Sequence, residues 1–511
     1  MLKFKKPLVL FLAIALVITS FAGCANKAST EDTSAPATAS KAETPASDSK
    51  DTGIPKEFVT LKVLYPGDMS NRMKEFLGNE FKQKMKDELN IGLEVTYSPW
   101  DQYWNKKDMM LAAGETIEWY WDGISNLSKE YAKKHIVAID DLLAASSPDI
   151  KKIIPEANLK AAMVDGKTYG IPSAYSPSAA PFQMACIRQD VMDAVGISDI
   201  KSSADLEQLA AKSKEKFPSM NVASMSLLPA LAREFGDQVY TFPTDGYILA
   251  VGQNDNKVYS FYETEAFKKL AKFNRSLYLK KYIPDEVTVK YNEKDARMDS
   301  GNYVWGEGSI AKAMERTPSL LKNAPDAKLK AYLLAPDKPK YIEAPGNECI
   351  FISSTGKYHD RAMMFLNWIY KSKDNYLFTV YGVKDKDYKI ENNRINKLNN
   401  DDLFYEWMFR NVNYMEFPGY VDDAYITQYK EWDKDAKYAN TFGFTFDSTP
   451  VKNEEGKLIQ ELGTMFRPMS TGFLDYDQNY EKALKRFKDA GIDKYKAEFQ
   501  KQLDAYLASK K

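Results

Sequence analysis

The residues best suited to chemistry are concentrated between Tyr97 and Asn126. They read Tyr97-Ser98-Pro99-Trp100-Asp101-Gln102-Tyr103-Trp104 and, after a short helical run, Trp119-Tyr120-Trp121-Asp122-Gly123. Four of the chain's eight tryptophans fall in this stretch. Flat rings beside carboxylates suit a neutral polar ligand such as a sugar, whose C–H faces stack on aromatics and whose hydroxyls donate to carboxylates. Further along, Tyr303-Val304-Trp305-Gly306-Glu307-Gly308 offers a ring and a carboxylate amid glycines. Trp100, Trp121, Tyr175 and Trp305 are the expected stacking rings. Asp68, Asp122 and Asn347, each beside a turn before or after an expected strand, are the expected hydroxyl partners.

Other chemistries lack their residues. The chain has two histidines, His135 and His359, and three cysteines. Cys186 and Cys349 show neither CxxC nor Cys–His spacing, so no zinc or iron–sulfur site is expected and both are read as buried free thiols. His135 has no catalytic partner near it in sequence and reads as a surface or capping residue. Asp475-x-Asp477-x-Asn479 has the opening of a calcium loop, but Tyr480 stands where glycine is required and Arg486 where glutamate is. The Gly306-x-Gly308 pair lacks the third glycine and the Lys-Ser/Thr of nucleotide loops. No Gly-x-Ser-x-Gly elbow or His-Glu-x-x-His helix is present. Neither a metal nor a cofactor is expected. Lys and Arg number 70 against 71 Asp and Glu, with no basic block, which argues against nucleic-acid binding.

These residues must be held by alternating strands and helices. Phe58–Tyr65 alternates as a strand, Pro66-Gly67-Asp68 turns, and Met73, Phe76, Leu77, Phe81, Met85 and Leu89 recur at helical spacing. Leu93, Val95 and Tyr97 form the next strand, and Asp101 is placed to cap a helix stopping at Gly114. Such order predicts a parallel sheet with covered faces, and ligands bind outside the carboxyl ends of its strands. Asp165-Gly166 between alternating apolar residues predicts a hairpin. Ser202/Ser203 starts a helix, residues 247–251 and 258–262 form another hairpin, and Phe267, Leu270, Phe273 and Leu277 line an amphipathic helix. Asn347–Ser353 is a strand, followed by a helix from Arg361 to Tyr370. Near the end, Gly491 and Asp493 separate two amphipathic helices.

The N-terminus carries Lys3, Lys5 and Lys6, then the apolar Pro7–Ile18 and Phe21-Ala22-Gly23-Cys24. That order describes a secretory signal peptide, and Ala-Gly-Cys resembles a bacterial lipobox, which implies lipidation of Cys24. Ala25–Pro55 has no aromatic, Leu or Val and reads as a solvated tether. Its ~30 residues reach roughly 30 Å root-mean-square, enough to hold a domain just above a membrane.

Asp140-Asp141-Leu142-Leu143, the Asp165–Pro172 hairpin, Ile187-Arg188-Gln189-Asp190-Val191-Met192 with Gly196, and Tyr381–Tyr388 together resemble bacterial extracellular solute-binding proteins of sugar-uptake ABC transporters. Gly443-Phe444-Thr445-Phe446-Asp447 and residues 480–508 resemble the extra C-terminal module of a large lipoprotein subgroup. The resemblance implies an α/β, two-lobed periplasmic-binding-protein-like fold with a hinge. The expected division is signal peptide 1–23, tether 24–56, lobe one 57–172, lobe two 173–345, returning elements 346–440 and C-terminal helical module 441–511. The implied function is non-catalytic capture of a sugar or oligosaccharide by a lipid-anchored monomer and delivery to a membrane ABC permease. The alternatives are an exported glycoside hydrolase, needing two carboxylates about 5–9.5 Å apart, and a binding protein for a peptide or other non-sugar solute.

Overall fold

In the computed structural model, which describes residues 54–173, 177–346, 348–399, 401 and 403–510, the first strand is β1, Val59–Pro66, and its last four residues are all buried. The apolar stripe that follows is shared by two helices, α1 (Asn71–Gly78) and α2 (Glu80–Leu89). Asn79 leaves helical geometry at φ −120°, ψ −90° and divides them, while Met73, Phe76, Phe81, Met85 and Leu89 all stay buried on one side. Next come β2 (Ile91–Ser98), α3 (Tyr103–Ala112), β3 (Trp119–Gly123) and α4 (Leu127–Ala132). Asp101 does not cap α3: Gln102 holds that position without a side-chain bond, and Asp101 is exposed. The hairpin forms as expected, Met163–Val164 pairing with Lys167–Thr168, with Asp165 (φ 49°) and Gly166 (φ 78°) both left-handed as a two-residue turn requires.

Two sheets organise the rest. β4 (Ile171–Pro172) closes one edge of the first. The second contains β5 (Met184–Arg188), β6 (Asn221–Ala223), β7 (Tyr303–Gly308) and β8 (Leu329–Leu333) in the order β8-β5-β7-β6. β9 (Glu348–Ile352) returns to the first sheet, whose order is β2-β1-β3-β9-β4. β1, β2 and β3 are parallel as expected, whereas β9 runs antiparallel because it enters from the second sheet. The fold is thus mixed α/β. No helix among the described residues is long and apolar enough to cross a membrane.

The registers fix where the chain crosses. Glu348, the first residue of β9, pairs with Gly123, the last of β3. Met184, the first residue of β5, pairs with both Gly308 and Leu333, the last residues of β7 and β8. The carboxyl ends of β3 and β7 therefore lie at the crossing ends of their sheets. A third passage joins the first two: Trp432 Nε1 donates to Ala179 O at 2.8 Å, and Lys437 and Tyr438 pair with Tyr341 and Ile342.

Glu343 sits in this crossing region, accepting from Phe242 N at 3.2 Å and Gln183 Nε2 at 3.3 Å. Burial pushes its carboxyl up to about 8, outweighing those two donors. The unfolded chain releases that proton near the ordinary value of ~4.3. Between the two values the folded state binds more protons, so stability falls as pH rises. Glu343→Gln is expected to raise the melting temperature near pH 8 by an amount worth on the order of a few kcal/mol, and to have little effect near pH 4. Thermal unfolding of both proteins across this range checks it.

The hydrophobic interior falls into two clusters. One is built on the first sheet and the helix His359–Lys371, and extends to the helix Ile310–Asn323. The other contains the opposite face of the second sheet together with residues of 451–503. The C-terminal segment has no core separate from this second cluster. Its two last helices meet at Gly491, left-handed at φ 101°. Cys186 and Cys349 are both buried and free, one on each sheet.

Candidate sugar-binding platform

The carboxyl ends of β1, β2 and β3 carry the aromatic stretch onto one rim. Trp100 lies two residues past β2, and Trp104 opens α3 beside it with ring centroids 6.4 Å apart. Trp121 stands nearly perpendicular to Trp100 at 5.8 Å. Trp100 and Trp104 are each 43% exposed, whereas Trp121 is 6% exposed and forms the floor.

Two further rings arrive from residues far away in sequence. Tyr405 and Trp407 stack on each other at 5.3 Å and 15°. Trp407 lies 5.1 Å from Trp121 and 5.9 Å from Trp100. Buried Phe404 packs against Tyr65 at 5.8 Å, and Tyr405 N donates to Tyr65 Oη at 2.9 Å, which pins this segment to β1. Gly67 makes the approach possible: its φ is 90°, and a Cβ there would collide with Tyr405 Oη and press on Trp100. Nothing in the spacing of the sequence points to Tyr405 and Trp407. The one available signal was aromatic density in Leu403-Phe404-Tyr405-Glu406-Trp407-Met408-Phe409.

Asp122 is not an open acceptor. It is fully buried, and its Oδ1 accepts from Trp104 Nε1 (3.1 Å), Asn126 Nδ2 (2.8 Å) and Gly123 N (2.7 Å). Its Oδ2 is paired with Lys107, which also meets Glu130 Oε1 at 3.0 Å. Glu130 in turn accepts from Tyr120 Oη at 2.9 Å and faces His135 Nδ1 at 3.0 Å, so His135 is a half-buried partner of Glu130. Asp122 therefore sets the angle of the Trp104 indole. Asp108, Glu130 and His135 converge, but Lys107 and Lys133 neutralise them. Asp475 caps its helix by accepting from Gln478 N at 3.1 Å and faces Arg275.

Asp68 is exposed at the same rim, immediately after Gly67. Two enclosed polar groups there have no hydrogen-bond partner among the described residues, Trp121 Nε1 and Ser98 Oγ. Such groups each cost about 1–3 kcal/mol unless satisfied, and a ligand hydroxyl satisfies either by donating or accepting. Trp305 departs from its expected role: it is 1% exposed, packed in the second cluster, because its side of β7 is the inner face. Tyr175, Asn347 and Cys24 lie outside the described residues.

Residues 77–382 match the family described as bacterial extracellular solute-binding protein, and residues 440–508 match a domain of unknown function, DUF3502. A carbohydrate ABC transporter substrate-binding protein of Streptococcus pneumoniae serotype 4 (strain ATCC BAA-334 / TIGR4) is 24% identical over 463 residues, 88% of this chain and 91% of its own. The crystal structure of the N-glycan transport solute binding protein NgtS from Streptococcus pneumoniae superposes with a TM-score of 0.73 at 21% identity, over 88% of this chain and 100% of that one. The same protein in complex with Man1GlcNAc gives 0.71 at 20% identity, again over 88% and 100%.

Proposed function

Since this chain belongs to the bacterial extracellular solute-binding protein family, we propose that it captures a sugar or oligosaccharide on the aromatic platform and delivers it unchanged to a membrane ABC permease. The observation that carries this reading is the rim itself: exposed Trp100 and Trp104, half-buried Tyr405 and Trp407, and the two polar groups left without partners. The names of the relatives, a carbohydrate substrate-binding protein and an N-glycan transport protein, point to the same class of solute. Trp100, Trp104 and Trp407 supply ring faces, Trp121 Nε1 and Ser98 Oγ supply hydrogen bonds, and Asp68 accepts from hydroxyls. Tyr175 and Asn347 remain the expected additional contacts. Lobe one spans 57–172 with 346–440, and lobe two spans 173–345 with 441–511. Their closure is driven only by the closed form's greater affinity for the sugar. Cys24, lipidated, anchors a monomer outside the membrane, with residues 25–56 as its tether.

Trp100→Ala is the direct test. A central aromatic contact is typically worth 2 kcal/mol or more, so the affinity for a bound glycan is expected to fall roughly 30-fold. Intrinsic tryptophan fluorescence with Man1GlcNAc and with malto- and fructo-oligosaccharides measures it. A variant that binds its best sugar as tightly as the parent would sink the platform.

A further inference from the structure

We propose that Glu307, Tyr291 and Arg467 form the second half of the sugar site, so that the C-terminal segment of unknown function takes part in ligand capture through Arg467. The inference rests on the platform being a sugar surface and adds residues from the second sheet and the C-terminal segment. Glu307 is the penultimate residue of β7, whose last residue pairs with the first residue after the crossing, as the last residue of β3 pairs with the first of β9. Platform and carboxylate thus stand at the crossing ends of their respective sheets.

The cluster is chemically incomplete in an informative way. Glu307 Oε1 accepts from Tyr247 Oη at 3.3 Å and from Lys294 Nζ at 3.4 Å. Its Oε2 is enclosed and has no donor among the described residues. Burial pushes this carboxyl up even though Lys294 and Tyr247 pull it down. Arg467 lies over the Tyr291 ring at 4.6 Å from its centroid and has no ion pair among the described residues. Tyr247, Tyr291 and Arg467 are all half-buried, so the cluster borders solvent.

An acceptor lacking a donor and a guanidinium without an ion pair, both of which act electrostatically on Tyr291, are together the complement of a hydroxyl, which gives one hydrogen bond and takes others through one oxygen. Lys294 already pairs with Glu307 Oε1, so the open Oε2 calls for a neutral donor and Arg467 for an acceptor. Sugar hydroxyls fit both. Arg467 opens the helix Arg467–Ser470 immediately after Phe466, which is fully buried in the second cluster, so the C-terminal segment holds the guanidinium in place.

The test is isothermal titration calorimetry of the mature chain with Man1GlcNAc and with malto- and fructo-oligosaccharides. Four variants are compared with the parent: Glu307→Gln, Arg467→Met, Arg467→Lys and Trp100→Ala. Glu307→Gln and Arg467→Met are each expected to weaken binding roughly tenfold, in line with loss of one well-placed contact, while Arg467→Lys recovers part of the loss. Melting temperatures accompany the titrations, since a merely structural role would lower stability and leave affinity unchanged. Parent-like affinity in both Glu307→Gln and Arg467→Met, with Trp100→Ala impaired, overturns this assignment and leaves the platform standing. A parent protein that binds none of these sugars overturns both.

Discussion

A chain ending at Phe442 is expected to show no cooperative unfolding transition for its second lobe. Leu458, Leu462, Phe466, Phe487, Ile492, Phe499 and Leu503 are all buried in the same cluster as Phe261, Tyr262, Phe267 and Leu270. Tyr262 and Phe466 lie 4.6 Å apart, and Phe466 and Phe487 4.7 Å. Backbone groups are shared as well: Val258 N donates to Gln500 Oε1 at 2.8 Å, and Asn274 Nδ2 donates to Ser470 O at 2.6 Å. Each large apolar side chain contributes about 1.5–3 kcal/mol on burial. Removing seven forfeits about 10–21 kcal/mol, as much as or more than the 5–15 kcal/mol that typically holds a domain together. Within the intact chain, Phe466→Ala is expected to cost about 3–5 kcal/mol. Urea unfolding with near-ultraviolet circular dichroism reads both effects. A truncated protein that unfolds with the parent's midpoint and slope would show that the C-terminal segment is an appendage.

Lys107→Met is expected to destabilise the first lobe by about 3–5 kcal/mol, because it leaves two buried carboxylates without their cation. The ammonium is 2% exposed and lies between Asp122 at 0% and Glu130 at 1%. It also sits over the Tyr120 ring, 5.2 Å from the centroid. Burial disfavours its charge, but Asp122 and Glu130 more than compensate and raise its pKa. Its contribution is therefore complete below the ordinary lysine value of ~10.4 and is lost as pH rises through the still higher folded value. The substitution also releases Asp122, and with it the Trp104 indole. Thermal denaturation measures the first effect, and the red shift of tryptophan emission the second. An unchanged melting temperature would mean that the buried triad is not required.

The elements of the first lobe are legible because they rest on local rules. Alternation gives β1, the 3.6-residue stripe gives α1 and α2, and Asp165-Gly166 gives the hairpin whatever the rest of the chain does. Even so, one helix became two at Asn79, since an apolar stripe continues across a break that only local backbone geometry introduces. Spacing singles out Trp100, Trp121 and Asp122. Spacing does not say which atoms reach solvent, and the three divide into an exposed ring, a floor and a buried anchor.

By itself the sequence determined the α/β class and the aromatic character of one rim, because these follow from periodicity and residue type along neighbouring positions. Tertiary structure alone decided that Tyr405 and Trp407 complete that rim, that Trp305 turns inward, and that residues beyond 450 fill the second core. Each of those outcomes depends on segments up to some 300 residues apart being pressed together, and contacts of that kind leave no period in the chain that makes them.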